Sequence, residues 1–344
     1  MNRILITGLV FLILLIFFVV IIMSSKGQNN YPVSSIKTQP RSAVYLGAWV
    51  QGFWENDTKT LNTSVLSDFE EAIDTKMALA NIYSEWEYLE NKSLITNLNT
   101  ISKNGWVPII SSNPYFFKDC PEDDKSLYAT IASGECDEFL RAAGKNLKSY
   151  NKPVFFRFAW EMNLPDMYWS IEKTSSTPED FVNAWRRIYR IWEEQKVENV
   201  VWVLSFNTSH AKTVPYKDLY PGDEYVDWVA IDGYNWGDSH DWSGWADFNG
   251  VFRNSYNELV AVTEKPIMLS EVNSAESGGD KAKWLDDMLS KQIPESFPAV
   301  EAIVFFNENK QDGESVDWRI EKSEKYIDAV KKGLSNKLYK RSYP

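Results

Sequence analysis

Glu161 and Glu271 are the residues on which chemistry would rest. The stretch RFAWEMN (157–163) runs apolar into Glu161, with Arg157 four residues before it and Asn163 two after. The stretch PIMLSE (266–271) closes in the same way on Glu271. Two carboxyl groups facing one another can break a glycosidic bond. One protonates the leaving oxygen, the other attacks the sugar carbon or activates water, and a separation of about 5–5.5 Å implies retention. The two roles need different pKa values. Phe158 and Trp160 give Glu161 an apolar setting that raises its pKa and suits the acid. Arg157 and the hydroxyl of Tyr234 are placed to keep Glu271 ionised, as a nucleophile must be. The chain holds 48 acidic residues, most of them solvated, so acidity alone singles out no residue; position does.

That position depends on a strand–helix rhythm. Strands are expected at 43–50, 77–86, 106–112, 153–160, 200–207, 227–235, 266–271 and 300–307. Between them lie helical stretches, the clearest at 177–196. Thr177 caps it, Pro178 suits its first turn, and Phe181, Trp185, Ile188 and Trp192 form an apolar stripe. Eight strands alternating with helices predict a (β/α)8 TIM barrel of the α/β class, with an open doubly wound sheet as the alternative. No G-x-G-x-x-G follows the first strand, which argues against a dinucleotide site. Barrel active sites form where the strands end. The fourth strand ends at Glu161, the sixth at Asp232 and Tyr234, the seventh at Glu271, the eighth at Phe306 and Asn307. Alternation puts Arg157, Ala159 and Glu161 on one face, and Asp232 and Tyr234 on another shared face.

The chain has 344 residues, a formal net charge of −12 and 15 Trp. So acidic a chain repels phosphate backbones, and nucleic acid is not an expected partner. Residues 4–23 form an apolar run broken only by Thr7 and Gly8, long enough to span a bilayer. It reads as an uncleaved membrane anchor (residues 1–23) with the large domain outside the cytoplasm; a cleaved signal sequence and secretion are the alternative. Residues 24–42, rich in Ser, Asn, Gln and Pro, read as a flexible linker, residues 43–334 as the domain and 335–344 as a tail. Cys120 and Cys136 are either a disulfide or two free thiols. Acceptor patterns for N-glycosylation occur at Asn56, Asn62, Asn91 and Asn207. His210 and His240 are isolated, and no metal-binding, nucleophilic-serine or phosphate-loop motif is present. No cofactor or metal is expected, and the chain reads as a monomer.

Residues from about 44 to 320 resemble glycoside hydrolase family 26, which includes β-mannanases and some β-glucanases. Six segments carry the resemblance in order: SGECDEFLRAAGKNLK, KPVFFRFAWEMN, TPEDFVNAWRRIYRIWEEQKVENVVWVLSFN, YPGDEYVDWVAIDGYN, KPIMLSEVNSAESGGDKAKWLDDM, and AIVFFNENK followed by VDWRI. The resemblance implies a barrel and a retaining mechanism, with Glu161 as acid/base, Glu271 as nucleophile, and Arg157, Tyr234 and Asn163 as supporting groups. One departure matters: Trp160 stands where the family usually has His, which puts mannan specificity in doubt. Trp160, Trp86, Trp236 and Phe306 are expected to bind sugar; Trp49, Trp54, Trp169, Trp242 and Trp245 also fall near the strand ends. The function expected is endo-cleavage of a β-linked polysaccharide, β-mannan or β-glucan. A barrel that binds surface glycan or exopolysaccharide with little or no cleavage is the alternative.

Overall fold

The computed structural model describes residues 43–55, 57–115, 120 and 126–344. The expected anchor and linker, and Asn56, lie outside the described residues. Among the described residues no helix is long and apolar enough to cross a membrane.

Eight parallel strands form the centre: β1 (Val44–Val50), β2 (Leu79–Glu85), β3 (Val107–Asn113), β4 (Val154–Phe158), β5 (Val200–Asn207), β6 (Trp228–Asn235), β7 (Ile267–Ser274) and β8 (Val300–Asn307). Each pairs with the next, and β8 returns to pair with β1 from Tyr45↔Ala302 to Val50↔Asn307. That last pairing closes the barrel and rules out the open sheet. Around it lie α1 (Thr63–Ala72), α2 (Lys92–Lys103), α3 (Leu127–Ser133), α4 (Asp137–Tyr150), α5 (Pro178–Glu194), α6 (Phe248–Val262), α7 (Lys281–Asp287) and α8 (Glu324–Gly333). Between β5 and β6 there are only two 3-10 turns, Tyr216–Asp218 and Asp223–Tyr225. Pro215, Pro221 and Gly222 interrupt the helical pattern there.

Helix α5 shows how the outer layer is specified. The Thr177 hydroxyl accepts from the Asp180 amide at 3.1 Å, and the Asp180 carboxylate accepts from the Thr177 amide at 2.8 Å. This closed capping box contributes about 1 kcal/mol. The expected stripe of Phe181, Trp185, Ile188 and Trp192 is buried. Both Trp therefore serve the core.

Inside the barrel, alternation sorts side chains into levels. The lower level is apolar: Leu79, Ile109, Phe155, Val203, Ala230, Met268 and Val304 pack together. Two residues further along the strands the side chains turn polar: Asn81, Ser111, Arg157, Ser205, Asp232 and Ser270, all buried. The next level opens into the mouth.

The C-terminal residues correct an expectation. Positions 335–344 are no tail: Tyr339–Lys340 extends the sheet alongside β1, and the Tyr339 hydroxyl donates to the Leu289 carbonyl at 2.6 Å. The Tyr343 ring packs on Tyr45 and Phe155, with centroids 4.9 and 5.1 Å away, closing the barrel floor. Cys120 and Cys136 are joined as a disulfide, with Cys136 at the start of α4.

Candidate active site

The site grows from the polar level of the barrel. Arg157 is fully buried on β4. Its Nη2 donates to Asp232 Oδ2 at 2.5 Å, and both Nη atoms lie 3.2 Å from Glu271 Oε1. Ser111 and Ser205 accept further bonds from it at 2.8 and 3.1 Å. Arg157 thus answers two carboxylates, Asp232 as well as the expected Glu271. Burial opposes its charge, but Asp232 and Glu271 more than restore it, and the guanidinium is held above its usual pKa. Asp232 accepts as well from Ser270 at 2.5 Å and from Ser205 at 3.1 Å. Burial still pushes its carboxyl up, to about 7, against the pull of Arg157 and of these hydroxyls.

Glu271 is surrounded by donors. Tyr83 donates to Oε1 at 2.6 Å, Tyr234 to Oε2 at 2.5 Å, and Arg157 to Oε1. Burial, then the Glu271 charge, drives both phenols well above their usual pKa, so they stay protonated and donate. Its aim comes from an irregularity in β7. Ile231 pairs with Leu269 but Asp232 pairs with Glu271, and a matching shift occurs against β8. The extra residue lets the neighbours Ser270 and Glu271 both reach inward, one to Asp232 and the other to the mouth, as a β-bulge does.

Glu161 also arrives by a route that alternation does not describe. Strand β4 ends at Phe158, not at 160 as expected, and Ala159 and Glu161 take left-handed conformations with φ of 50° and 57°. Neighbouring strands hold this turn: the Ala159 amide donates to the Ser112 carbonyl at 2.8 Å, the Glu161 amide to the Ser205 carbonyl at 3.0 Å. Asn207 Nδ2 donates to Glu161 Oε1 at 2.6 Å. Burial first, then the charges of Glu271 and Asp232, raises the Glu161 carboxyl well above its ordinary value; the Asn207 bond and Arg157 pull the other way. Asn163 touches the backbone of Asn207, accepting from its amide at 2.9 Å and donating to its carbonyl at 3.0 Å. It positions Asn207 and makes no side-chain hydrogen bond to Glu161. Asn207 is therefore engaged with the candidate acid, which displaces its reading as a glycan acceptor.

Above these groups lies a cleft of about 430 Å³, lined by Glu161, Glu271, Tyr83, Trp160, Trp236 and Phe306 among others. Trp160 packs between Tyr83 and Trp169, with ring centroids 5.2 and 4.5 Å away. Trp236 is half-buried and leads to the exposed Trp242, 5.4 Å away. Trp86 does not belong here. It lies just past β2 in a 3-10 turn and is fully buried against Phe139 and Phe158, so its sugar-binding assignment is withdrawn. Trp54 is likewise core, packed on Tyr88. Trp49 donates to Glu308 at 2.9 Å beside the cleft.

Oxygens of Glu161, Asp232 and Glu271 lie within 4.8 Å of one another, close enough to share an ion. Arg157 already supplies the positive charge between Asp232 and Glu271. Tyr83, Asn207 and the role of Asp232 were missed by sequence reasoning. The signal was available: Asn81–Tyr83 and Ser205–Asn207 repeat the two-residue spacing that relates the polar level to the mouth.

Residues 126–292 match the family described as Glycosyl hydrolase family 26. Endoglucanase H of Acetivibrio thermocellus is 30% identical over 303 residues, covering 86% of this chain and 31% of that protein. The mannan endo-1,4-beta-mannosidase A and B of Caldalkalibacillus mannanilyticus is 29% identical over 136 residues, 38% of this chain and 24% of that protein. The chain thus spans less than a third of the length of these curated relatives. Among solved structures, the catalytic domain of the Bacillus sp. JAMB-750 endo-beta-1,4-mannanase superposes with a TM-score of 0.61 at 15% identity, covering 87% of each chain. A Bacillus subtilis mannanase superposes with a TM-score of 0.57 at 18% identity, covering 88% of each. The barrels agree in fold, and the sequence match carries the kinship further: residues 126–292 belong to glycosyl hydrolase family 26.

Proposed function

We propose that the domain is a retaining endo-β-glycanase in which Glu161 is the acid/base and Glu271 the nucleophile. One observation carries this reading. The two carboxyls approach within 4.8 Å across a cleft and sit in opposite environments, Glu161 raised by burial and Glu271 held by three donor side chains. Nearest oxygens within 4.8 Å fit the roughly 5–5.5 Å spacing of a retaining pair better than the roughly 6.5–9.5 Å that an inverting enzyme needs to admit a water.

In the first step Glu161 gives its proton to the glycosidic oxygen while a Glu271 oxygen bonds to the anomeric carbon. The aglycone leaves with that proton. Water then attacks the same carbon, Glu161 takes the water's proton, and the Glu271 ester bond breaks. Arg157, Tyr83 and Tyr234 stabilise Glu271 whenever it carries charge. Asn207 orients Glu161 and Asn163 orients Asn207. Trp160, Trp236 and Phe306 present apolar faces to sugar rings.

The endoglucanase relative covers 86% of the chain and the mannosidase relative 38%, which favours β-glucan over β-mannan as substrate. Residues 4–23 are read as an anchor holding the domain, on the linker 24–42, outside the cytoplasm; release by signal cleavage is the alternative. The Cys120–Cys136 disulfide suits an oxidising compartment. The reading as a glycan-binding barrel without cleavage rests on Trp160, and the intact carboxyl pair argues against it. Reducing-sugar release from mixed-linkage β-glucan, β-mannan, β-xylan and curdlan, with Glu271→Ala alongside, tests the proposal. Release by the wild type alone supports it, and equal release by the variant removes Glu271 from the role.

A further inference from the structure

A groove of about 500 Å³ lies on the outer helical layer, between α3, α4 and α5, and shares no residue with the catalytic cleft. Four arginines line it: Arg141 on α4, and Arg186, Arg187 and Arg190 on α5. The chain has ten arginines against 26 lysines, so four of the ten gather at one place on a chain of net charge −12. Only two carboxylates, Asp137 and Glu194, line the groove with them. Lysine serves as the general surface cation of this chain. Arginine differs in offering a planar fork of donors that matches the oxygens of phosphate and carboxylate.

These guanidiniums are held in place by part of their donor set, leaving the rest available. Arg187 grips Asp137 through Nε and Nη2 at 2.7 and 2.6 Å. A Cβ at Gly134, whose φ is +100°, would collide with that same guanidinium, so glycine leaves its path open. Arg186 spends Nε and Nη2 on the Pro221 carbonyl, at 2.8 and 2.6 Å. Arg186 and Arg190 both ride on the Tyr225 ring, 5.4 and 5.6 Å from its centroid, and Arg190 Nη2 donates to the Tyr225 hydroxyl at 2.8 Å. Among the described residues, Nη1 of Arg186 and both Nε and Nη1 of Arg190 have no hydrogen-bond acceptor. Arg141 has only long bonds to Glu194, at 3.4 Å. Arg186, Arg187 and Arg190 are anchored forks, two of them with open edges, and the exposed Arg141 stands beside them; together they form a partly prearranged oxyanion receptor.

We propose that this groove binds phosphate esters. A tetrahedral group presents several oxygens to several forks at once, and the groove has room for a substituent on the phosphate. An acidic domain is repelled by an anionic surface except where such a groove faces it. Binding therefore also orients the domain, with the source of phosphate either an anionic lipid headgroup or a soluble phosphate ester.

Calorimetric titration of inorganic phosphate into the full chain tests this. Saturable one-to-one binding is expected, weakening with added salt. The Arg141→Ser/Arg190→Ser variant should bind about tenfold or more weakly. A Lys92→Ser/Lys103→Ser variant removes the same charge from α2 and should bind as the wild type does. Arg190→Lys keeps the charge without the fork and should fall between. Thermal melts of each variant separate lost binding from lost folding. Co-sedimentation with phosphatidylglycerol vesicles, against phosphatidylcholine vesicles, and titration with glycerol phosphate distinguish the two sources. Absence of saturable phosphate binding by the wild type, or equal weakening in the arginine and lysine variants, overturns the proposal.

Discussion

Glu161 and Asn207 together set the pH behaviour expected of the site. In the proposed mechanism the working acid is the protonated form of Glu161, present below its pKa and lost as pH rises through it. Burial and the neighbouring carboxylates raise that pKa, so the alkaline limb of kcat/KM lies above where an ordinary glutamate would put it. The Asn207 bond favours the ionised form, so Asn207→Ala should move the limb further alkaline; a limb that stays put or turns acidic in a pH–rate profile would remove Glu161 from the acid role. Glu161→Gln should lower polysaccharide turnover by about 10²–10⁴ and abolish the alkaline limb. A dinitrophenyl glycoside needs no proton to leave, so this variant should still form the covalent intermediate, seen as a burst of dinitrophenolate. Arg157→Met is a test of stability: it leaves Asp232 and Glu271 buried without their cation and should cost about 3–5 kcal/mol, measured by chemical denaturation.

The elements that carry these residues differ in how openly the sequence declares them. Strands β5 and β8 occupy the ranges expected, since each is a short β-rich run bounded by turn signals. The two segments that carry the candidate glutamates depart from the expected period for a tertiary reason. Ala159 and Glu161 are turned left-handed because amide bonds to Ser112 and Ser205 on the flanking strands hold them there. The bulge at Ser270–Glu271 exists only relative to β6 and β8. Neither neighbour is visible in a local window, so the glutamates could be picked out by type while their route into the cleft could not. Trp86 failed for a related reason: its place at a strand end is real, but a turn rotates the indole into the α4 layer. Ala159→Val should therefore cost about 1–3 kcal/mol in denaturant unfolding, because a β-branched side chain resists positive φ. Ala159→Gly, free of that penalty, should stay within about 1 kcal/mol of wild type. Equal losses in the two variants would show that backbone strain at positive φ does not govern the position.

Across the described residues, the proposed catalytic groups and the packed floor lie at opposite ends of the barrel. The mouth holds the carboxyls, while the floor is sealed by Leu79, Phe155 and Trp228 with Tyr343 laid against them. The last residues belong to that floor: the Val44 amide donates to the Leu338 carbonyl at 2.9 Å, and Tyr339 pairs with Val44 in the sheet. Their polar, lysine-rich sequence reads as a tail because the apolar signal is confined to scattered residues, Leu338, Tyr339 and Tyr343. Ending the chain at Leu334 removes the strand beside β1 and uncovers Tyr45 and Phe155. The loss should be about 2–5 kcal/mol. In a thermal melt this corresponds to a fall in Tm of roughly 5–15 °C. Well below that Tm, kcat/KM should match the full chain, because no residue after 334 lines the cleft. A truncated protein that melts as the full chain does would mean the segment contributes nothing to the floor. One that keeps its Tm but loses activity would place the coupling between floor and mouth in the β1 strand, whose Trp49 meets Tyr83 at 4.9 Å.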